Sequence, residues 1–203
     1  MTTNLPVSYP DFVRKLFNRS GDPSKDFTHA ILGIKTEIFE YLHATDRING
    51  VEELGDLAFY VEALRQVIND YLMEQRLDII HELDIDAELI SDLATLATFE
   101  PRTAKFEELS TLLNDLLDDA KRWVGYNREP DSLPAVFLNA RGVAAFAQSL
   151  GILSDTPTAP ELVIAVNMAK LLKRYPGGDY DQFRALQRDL SGERETLETA
   201  ALG

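Results

Sequence analysis

The sequence contains no cysteine and only three histidines and one tryptophan among its 203 residues. The lack of cysteine excludes disulfides, thiolate metal sites and cysteine nucleophiles. No apolar run approaches the length of a membrane span, so we expect no membrane partner. The first residues, MTTNLPVSYP, lack a basic region followed by an apolar run. We therefore expect no signal peptide and a cytoplasmic location.

Positive charge is also scarce, because 20 lysines and arginines stand against 34 aspartates and glutamates, which gives a net charge of -14 at pH 7. A general nucleic-acid-binding surface is therefore not expected. Apolar residues make up 45% of the chain and charged residues 27%, which is typical of a globular protein with a substantial core.

Apolar residues recur at helical spacing along most of the chain, and no segment alternates apolar and polar residues as a half-buried strand would. The predicted fold class is therefore all-α, a helical bundle. Ser8 is expected to cap a short helix that begins at Pro10, and the sequence TDRING, ending in an Asn-Gly turn, is expected to separate the two longest helices. The further helices are expected at residues 24–44, 51–76, 85–98, 103–124, 134–150, 160–175 and 180–199.

Two acidic pairs with the same i, i+3 spacing lie on those two long helices: Glu37 with Glu40, and Glu53 with Asp56. At about 100° per residue, each pair occupies one face and flanks the apolar stripe of its helix. Packing through the stripes would bring the pairs together, where four carboxylates repel one another. A hard divalent cation such as Mg²⁺ or Mn²⁺ would neutralise them through oxygen ligands. The alternative is a solvated charged face on each helix.

The segments around the pairs, HAILGIKTEIFEYLHA and NGVEELGDLAFYVEAL, resemble the MazG-like all-α nucleoside triphosphate pyrophosphohydrolases. That family shows ExxE on one helix and EExxD at the start of the next. A later stretch, NMAKLLKRYPGGDYDQFRALQRD, resembles the closing segment of phage-type members. The two matches stand in the expected order and cover residues 27–72 and 164–190.

This resemblance implies a helical bundle that binds Mg²⁺, with Mn²⁺ as a substitute, and hydrolyses a (d)NTP to the monophosphate and pyrophosphate. Carried over to this chain, the metal ligands would be Glu37, Glu40, Glu53 and Asp56. The metal would polarise the α-phosphate and lower the pKa of the water that attacks it. Glu37 or Glu40 would be catalytic by accepting the proton of that water, and the sequence does not distinguish between them. If the chain is phage-encoded, as the resemblance of this segment to phage-type members suggests, the expected location is the cytoplasm of the host cell.

Three polar residues on the helix after Pro160 are candidates for substrate binding: Asn167, Lys170 and Arg174. They lie at i, i+3 and i+7, and therefore within about 60° of one another on one helix face. They would hold the phosphates of the nucleoside triphosphate, with Arg174 as a two-pronged donor. The alternative is a solvated basic edge favoured by the helix dipole. Lys173 and Arg188 are secondary candidates.

We expect one all-α domain over residues 1–203, with a catalytic helix pair at 24–76, a helical insert at 77–158 and phosphate-contacting helices at 159–199. The sequence of the insert weakly resembles that of the first helix pair. Its Asp115 and Asp118 take the places of the first acidic pair, and Asn139 and Gly142 replace the second. The insert is therefore either a degenerate duplication of the helix pair or an unrelated helical segment. A homodimer is expected, since the resemblance implies bundles that are often completed by a second subunit.

Three functions follow from these observations. The first is a (d)NTP pyrophosphohydrolase of broad class. The second is an enzyme specific for dUTP, since dimeric dUTPases of the same superfamily also contain two helical halves in one chain. The third is a non-catalytic acidic interaction protein that shares the fold. Trp123, in the sequence KRWVGYN, would either stack on a nucleotide base or pack in the core.

Overall fold

The fold is seen in a computed structural model of the chain, which describes residues 8–75, 102–149 and 160–202. These residues form eight helices and no strand, so the predicted all-α fold class is confirmed. Within the same ranges, no helix combines the length and apolar character needed to cross a membrane. The helices are α1 (Tyr9–Leu16), α2 (Pro23–Leu42), α3 (Arg47–Glu74), α4 (Arg102–Tyr126), α5 (Leu133–Ser149), α6 (Pro160–Arg174), α7 (Gln182–Leu186) and α8 (Leu190–Leu202).

The centre of the fold is the helix pair α2 and α3, which pack against each other through the apolar stripes predicted for them. Ile34 and Ile38 of α2 are buried, as are Leu57, Val61 and Leu64 of α3. Full burial of each such side chain contributes about 1.5–3 kcal/mol. This contact therefore fixes how the two helices face each other, and with them the edges that carry the acidic pairs.

Helices α4 and α5 belong to the predicted insert, and they pack against each other and against α2 and α3. Trp123 is buried at the end of α4, with its ring centroid 4.9 Å from that of Phe27 and 5.1 Å from that of Tyr71. Its role in the structure is therefore core packing. Asp118 pairs with basic side chains of its own helix. The duplication stays a prediction, and the helix expected at 85–98 lies outside the described residues.

Helix α6 packs on α3, and α8 packs on both of them. A small second apolar cluster, formed by Val51, Val166 and Leu197, joins the three helices. The close approach of α6 depends on Gly55, because a Cβ atom there would lie 2.8 Å from the Cβ of Asn167. This packing places the polar face of α6 beside the second acidic pair.

Two predicted helix boundaries are wrong, and side-chain capping explains both. Helix α3 begins at Arg47, before the predicted residue 51, because the Asp46 side chain caps it by accepting a hydrogen bond from the Asn49 backbone N–H at 2.9 Å. The Asn-Gly pair therefore lies inside the first turn of α3. The helix expected over 180–199 is divided into α7 and α8, since Asp189 accepts a hydrogen bond from the Gly192 N–H at 3.1 Å and a new helix starts there.

Candidate metal centre

Three carboxylates from two helices meet where α2 and α3 pack together. One oxygen from each of Glu37, Glu40 and Glu53 lies within 4.8 Å of the others. Glu37 and Glu53 are partly buried, and Glu40 is exposed. The equal spacing of the two pairs produces this arrangement, because both pairs flank the apolar stripes that form the helix contact.

The fourth predicted ligand, Asp56, is held by side chains of α6. One of its carboxylate oxygens accepts a hydrogen bond from the Asn167 amide nitrogen at 2.7 Å, and the other accepts one from the Lys170 ammonium group. The Lys170 side chain is fully buried and also lies 3.3 Å from a carboxylate oxygen of Glu52. Asp56 therefore lies at the edge of the acidic cluster with its own positive partner.

The electrostatics of the cluster favour bound positive charge. Burial, followed by repulsion from Asp56 and the neighbouring glutamates, raises the pKa of Glu37 to about 9, although Lys170 acts in the opposite direction. Burial and repulsion from Asp56 and Glu52 likewise raise the pKa of Glu53 to about 7. Carboxyl groups in such a site either keep protons or share a cation. Their oxygen-only donor set fits Mg²⁺ or Mn²⁺.

An open cavity of about 410 Å³ lies beside the cluster. Its lining includes the carboxylates of Glu37, Glu40 and Asp56. It also includes the positively charged guanidinium groups of Arg174 and Arg188. The cavity thus combines carboxylates with guanidinium groups. This combination suits a ligand that carries negative charge together with a divalent cation.

The two arginines share a single buried carboxylate, that of Glu193 on α8. Arg174 donates to it from Nε at 2.9 Å and from a terminal nitrogen at 2.6 Å, and Arg188 donates at 2.9 Å. Burial opposes ionisation of Glu193, but the hydrogen bonds from both arginines outweigh it and hold its pKa at about 2. Two guanidinium groups against one carboxylate leave one net positive charge on this side of the cavity.

Of the three residues predicted to bind substrate, one lines the cavity and two do not. Arg174 lines the cavity, whereas Asn167 and Lys170 are buried behind Asp56 and do not line it. Their polar groups orient Asp56, and their contact with phosphate stays a prediction. The sequence does not predict Glu193 as the partner of Arg174, because no motif or regular spacing links the two residues.

Comparison of the chain with protein-family models, curated proteins and solved structures gives no significant match. The likeness to MazG-like enzymes therefore rests on the quoted motifs.

Proposed function

We propose that this protein is a Mg²⁺-dependent nucleoside triphosphate pyrophosphohydrolase that cleaves a (d)NTP to the (d)NMP and pyrophosphate. The observation that carries the proposal is the meeting of Glu37, Glu40 and Glu53 within 4.8 Å of one another. The cavity beside them supplies the second support, because it also presents Arg174 and Arg188. Acidic groups for a divalent cation and guanidinium groups for phosphates are the two requirements of this reaction.

The predicted ligands would hold the cation between α2 and α3. When bound, Mg²⁺ supplies charge neutralisation, polarisation of a phosphate oxygen and a lowered pKa for water. Asp56 contributes from the edge of the site, where Asn167 and Lys170 fix its orientation. The proposal therefore assigns Glu37, Glu40, Glu53 and Asp56 to the metal.

The remaining groups act on the triphosphate and on the proton. Arg174 and Arg188, held by Glu193, would bind the phosphate oxygens and stabilise the charge of the departing pyrophosphate. The proton of the attacking water would pass to Glu37 or Glu40, because both of these glutamates line the cavity and Glu53 does not.

The test is to incubate the protein with each common NTP and dNTP, including dUTP, in MgCl₂ and to separate the products by ion exchange. A Glu53→Gln variant removes one predicted ligand, and Glu108→Gln on the exposed side of α4 is the control of equal charge change. We expect monophosphate and pyrophosphate from the wild type and the control, and no turnover by Glu53→Gln.

Other products or substrates would change the conclusion. Release of diphosphate and phosphate would mean that a different bond is cleaved. Turnover of dUTP alone would identify the dUTP-specific alternative. If no nucleotide is hydrolysed with either Mg²⁺ or Mn²⁺, and no divalent cation binds, the acidic interaction protein becomes the better description.

A further inference from the structure

The cavity has a third wall, formed by aromatic rings from three parts of the chain. Phe17 follows α1, His29 lies on α2 and Tyr60 lies on α3, and all three line the cavity. Phe17 stacks on His29 with ring centroids 4.7 Å apart, and Tyr60 meets both rings at steep angles, with centroids 5.9 Å from His29 and 6.5 Å from Phe17. Together these three rings form the aromatic wall of the cavity.

The position of Tyr60 is fixed by a glycine on the facing helix. A Cβ atom at Gly33 would lie 2.3 Å from the ring of Tyr60, so the ring packs directly on the backbone of α2. Burial and the nearby charges of Glu37 and Asp56 raise the pKa of Tyr60 to about 12. The hydroxyl group therefore keeps its proton, and it has no hydrogen-bond partner within the described part of the chain.

The aromatic wall lies at a suitable distance from the acidic cluster. His29 and Glu37 are eight residues apart on α2, which corresponds to about 12 Å along the helix axis. The base and the terminal phosphates of an extended nucleoside triphosphate are separated by a comparable length. Burial also lowers the pKa of His29, which favours the neutral form of its ring. A neutral aromatic surface is suited to an uncharged heterocycle.

We propose that Phe17, His29 and Tyr60 form the nucleoside-binding part of the cavity, where an aromatic base packs against the rings while its phosphates extend toward Glu37 and Arg174. The Tyr60 hydroxyl donates a hydrogen bond to the nucleoside. Stacking on aromatic side chains accepts any base, because every base has a π-face. This inference deepens the proposed function and rests on it, since it names the part of the same substrate that lies away from the metal.

The experiment compares ligands with and without a base. His29→Ala removes one ring of the aromatic wall. His43→Ala is the matched control, because His43 caps the C-terminal end of the same helix and packs on the exposed Phe39 outside the cavity. For His29→Ala we expect KM for a dNTP to rise about tenfold, the effect of losing one stacking contact. The inhibition constant of inorganic tripolyphosphate should stay within about twofold of the wild-type value, since this ligand has no base.

Two outcomes of this comparison would overturn the inference. One is an unchanged KM for the dNTP. The other is an equal rise in KM and in the tripolyphosphate constant, which would mean that the substitution damages the phosphate or metal site instead.

A second measurement separates this inference from the proposed function. Binding of a deoxynucleoside 5′-monophosphate is measured by calorimetry in EDTA, without any hydrolysis. If the wild type binds it and His29→Ala binds about tenfold more weakly, the aromatic wall holds the nucleoside even if no triphosphate is cleaved. If triphosphates are cleaved and His29→Ala binds the monophosphate as tightly as the wild type, the aromatic wall is refuted and the proposed function stands.

A third measurement needs no folded variant. The chain has only three histidines, so the ring protons of His29 can be followed by NMR in the wild type. Addition of the monophosphate should shift the His29 resonances and leave those of His43 unchanged. Equal shifts for both, or none for His29, would overturn the inference.

Discussion

Replacement of Glu37 by glutamine should stabilise the metal-free protein while abolishing its activity. Burial and repulsion raise the pKa of Glu37 to about 9 from an ordinary value of 4.5. A carboxyl group whose pKa is raised in the folded chain makes stability fall as the pH rises from 4.5 toward 9, because the unfolded chain releases the proton first. Glutamine keeps the size of the side chain and removes the charge.

The magnitude follows from this difference in proton binding. From pH 4.5 to pH 7 the folded chain loses about 3 kcal/mol relative to the unfolded chain, at about 1.4 kcal/mol per pH unit. Glu37 is partly accessible to water, so we expect about 2 kcal/mol for Glu37→Gln after screening. In a chain of 203 residues this corresponds to an increase in Tm of about 4–8 °C. At pH 5 the gain should be below about 1 kcal/mol.

The assay is thermal unfolding in EDTA at pH 5, 7 and 8, with Glu108→Gln as the control. Saturating MgCl₂ should then raise the Tm of the wild type and leave that of Glu37→Gln nearly unchanged, because a ligand that binds only the folded chain stabilises it. The reasoning is refuted if Glu37→Gln lowers Tm in EDTA at pH 8, or if its effect is the same at pH 5 and pH 8.

Three further substitutions test the packing around the cavity. Gly33→Ala should lower the free energy of unfolding, measured in urea, by about 1–3 kcal/mol, because the new Cβ meets the Tyr60 ring. In a Tyr60→Ala background the same substitution should instead stabilise the protein by about 1 kcal/mol through helix propensity. An equal loss in both backgrounds would contradict the contact between Gly33 and Tyr60. Lys170→Met should lower the free energy of unfolding in EDTA by about 3 kcal/mol, because Asp56 loses a buried positive partner. MgCl₂ should reduce this loss. A variant as stable as the wild type in EDTA would show that Lys170 does not stabilise Asp56. Glu193→Gln should lower the free energy of unfolding at pH 7 by about 1–2 kcal/mol. This loss should shrink as the pH falls from 4.5 toward the Glu193 pKa of about 2. A loss that does not depend on pH would show that packing, not charge, is responsible.

The helix pair that carries the acidic residues could be predicted because it depends on residues that lie close together in the sequence. The spacing of Ile34 and Ile38, and of Leu57 and Val61, defines one buried face on each helix. Glu37 follows Ile34 by three residues and Glu53 precedes Leu57 by four, so both glutamates lie beside the buried face of their helix. The convergence of the acidic residues therefore follows from periodicity and from the contact between two neighbouring helices.

The surroundings of Asp56 could not be predicted in the same way. The contact with Lys170 depends on how α6 packs across α3. Gly55 permits this close approach, but a single glycine forms no regular pattern from which the packing could be predicted. The helical periodicity of α6 places Lys170 on a polar face but does not show that this face is buried. The pairing of Arg174 with Glu193 depends on the break before α8, which the Asp189 cap creates.

The hydrogen bond between Asp56 and Asn167 joins residues 111 positions apart, and this separation sets the order of events during synthesis. At 5–20 residues per second, Asp56 leaves the ribosome roughly 6–22 s before Asn167 does. In that interval Asp56 lacks the Asn167 amide and the Lys170 ammonium group that hold it in the folded protein. The nascent chain can pair its first long helices early, but it completes the candidate site only when most of its residues have been joined.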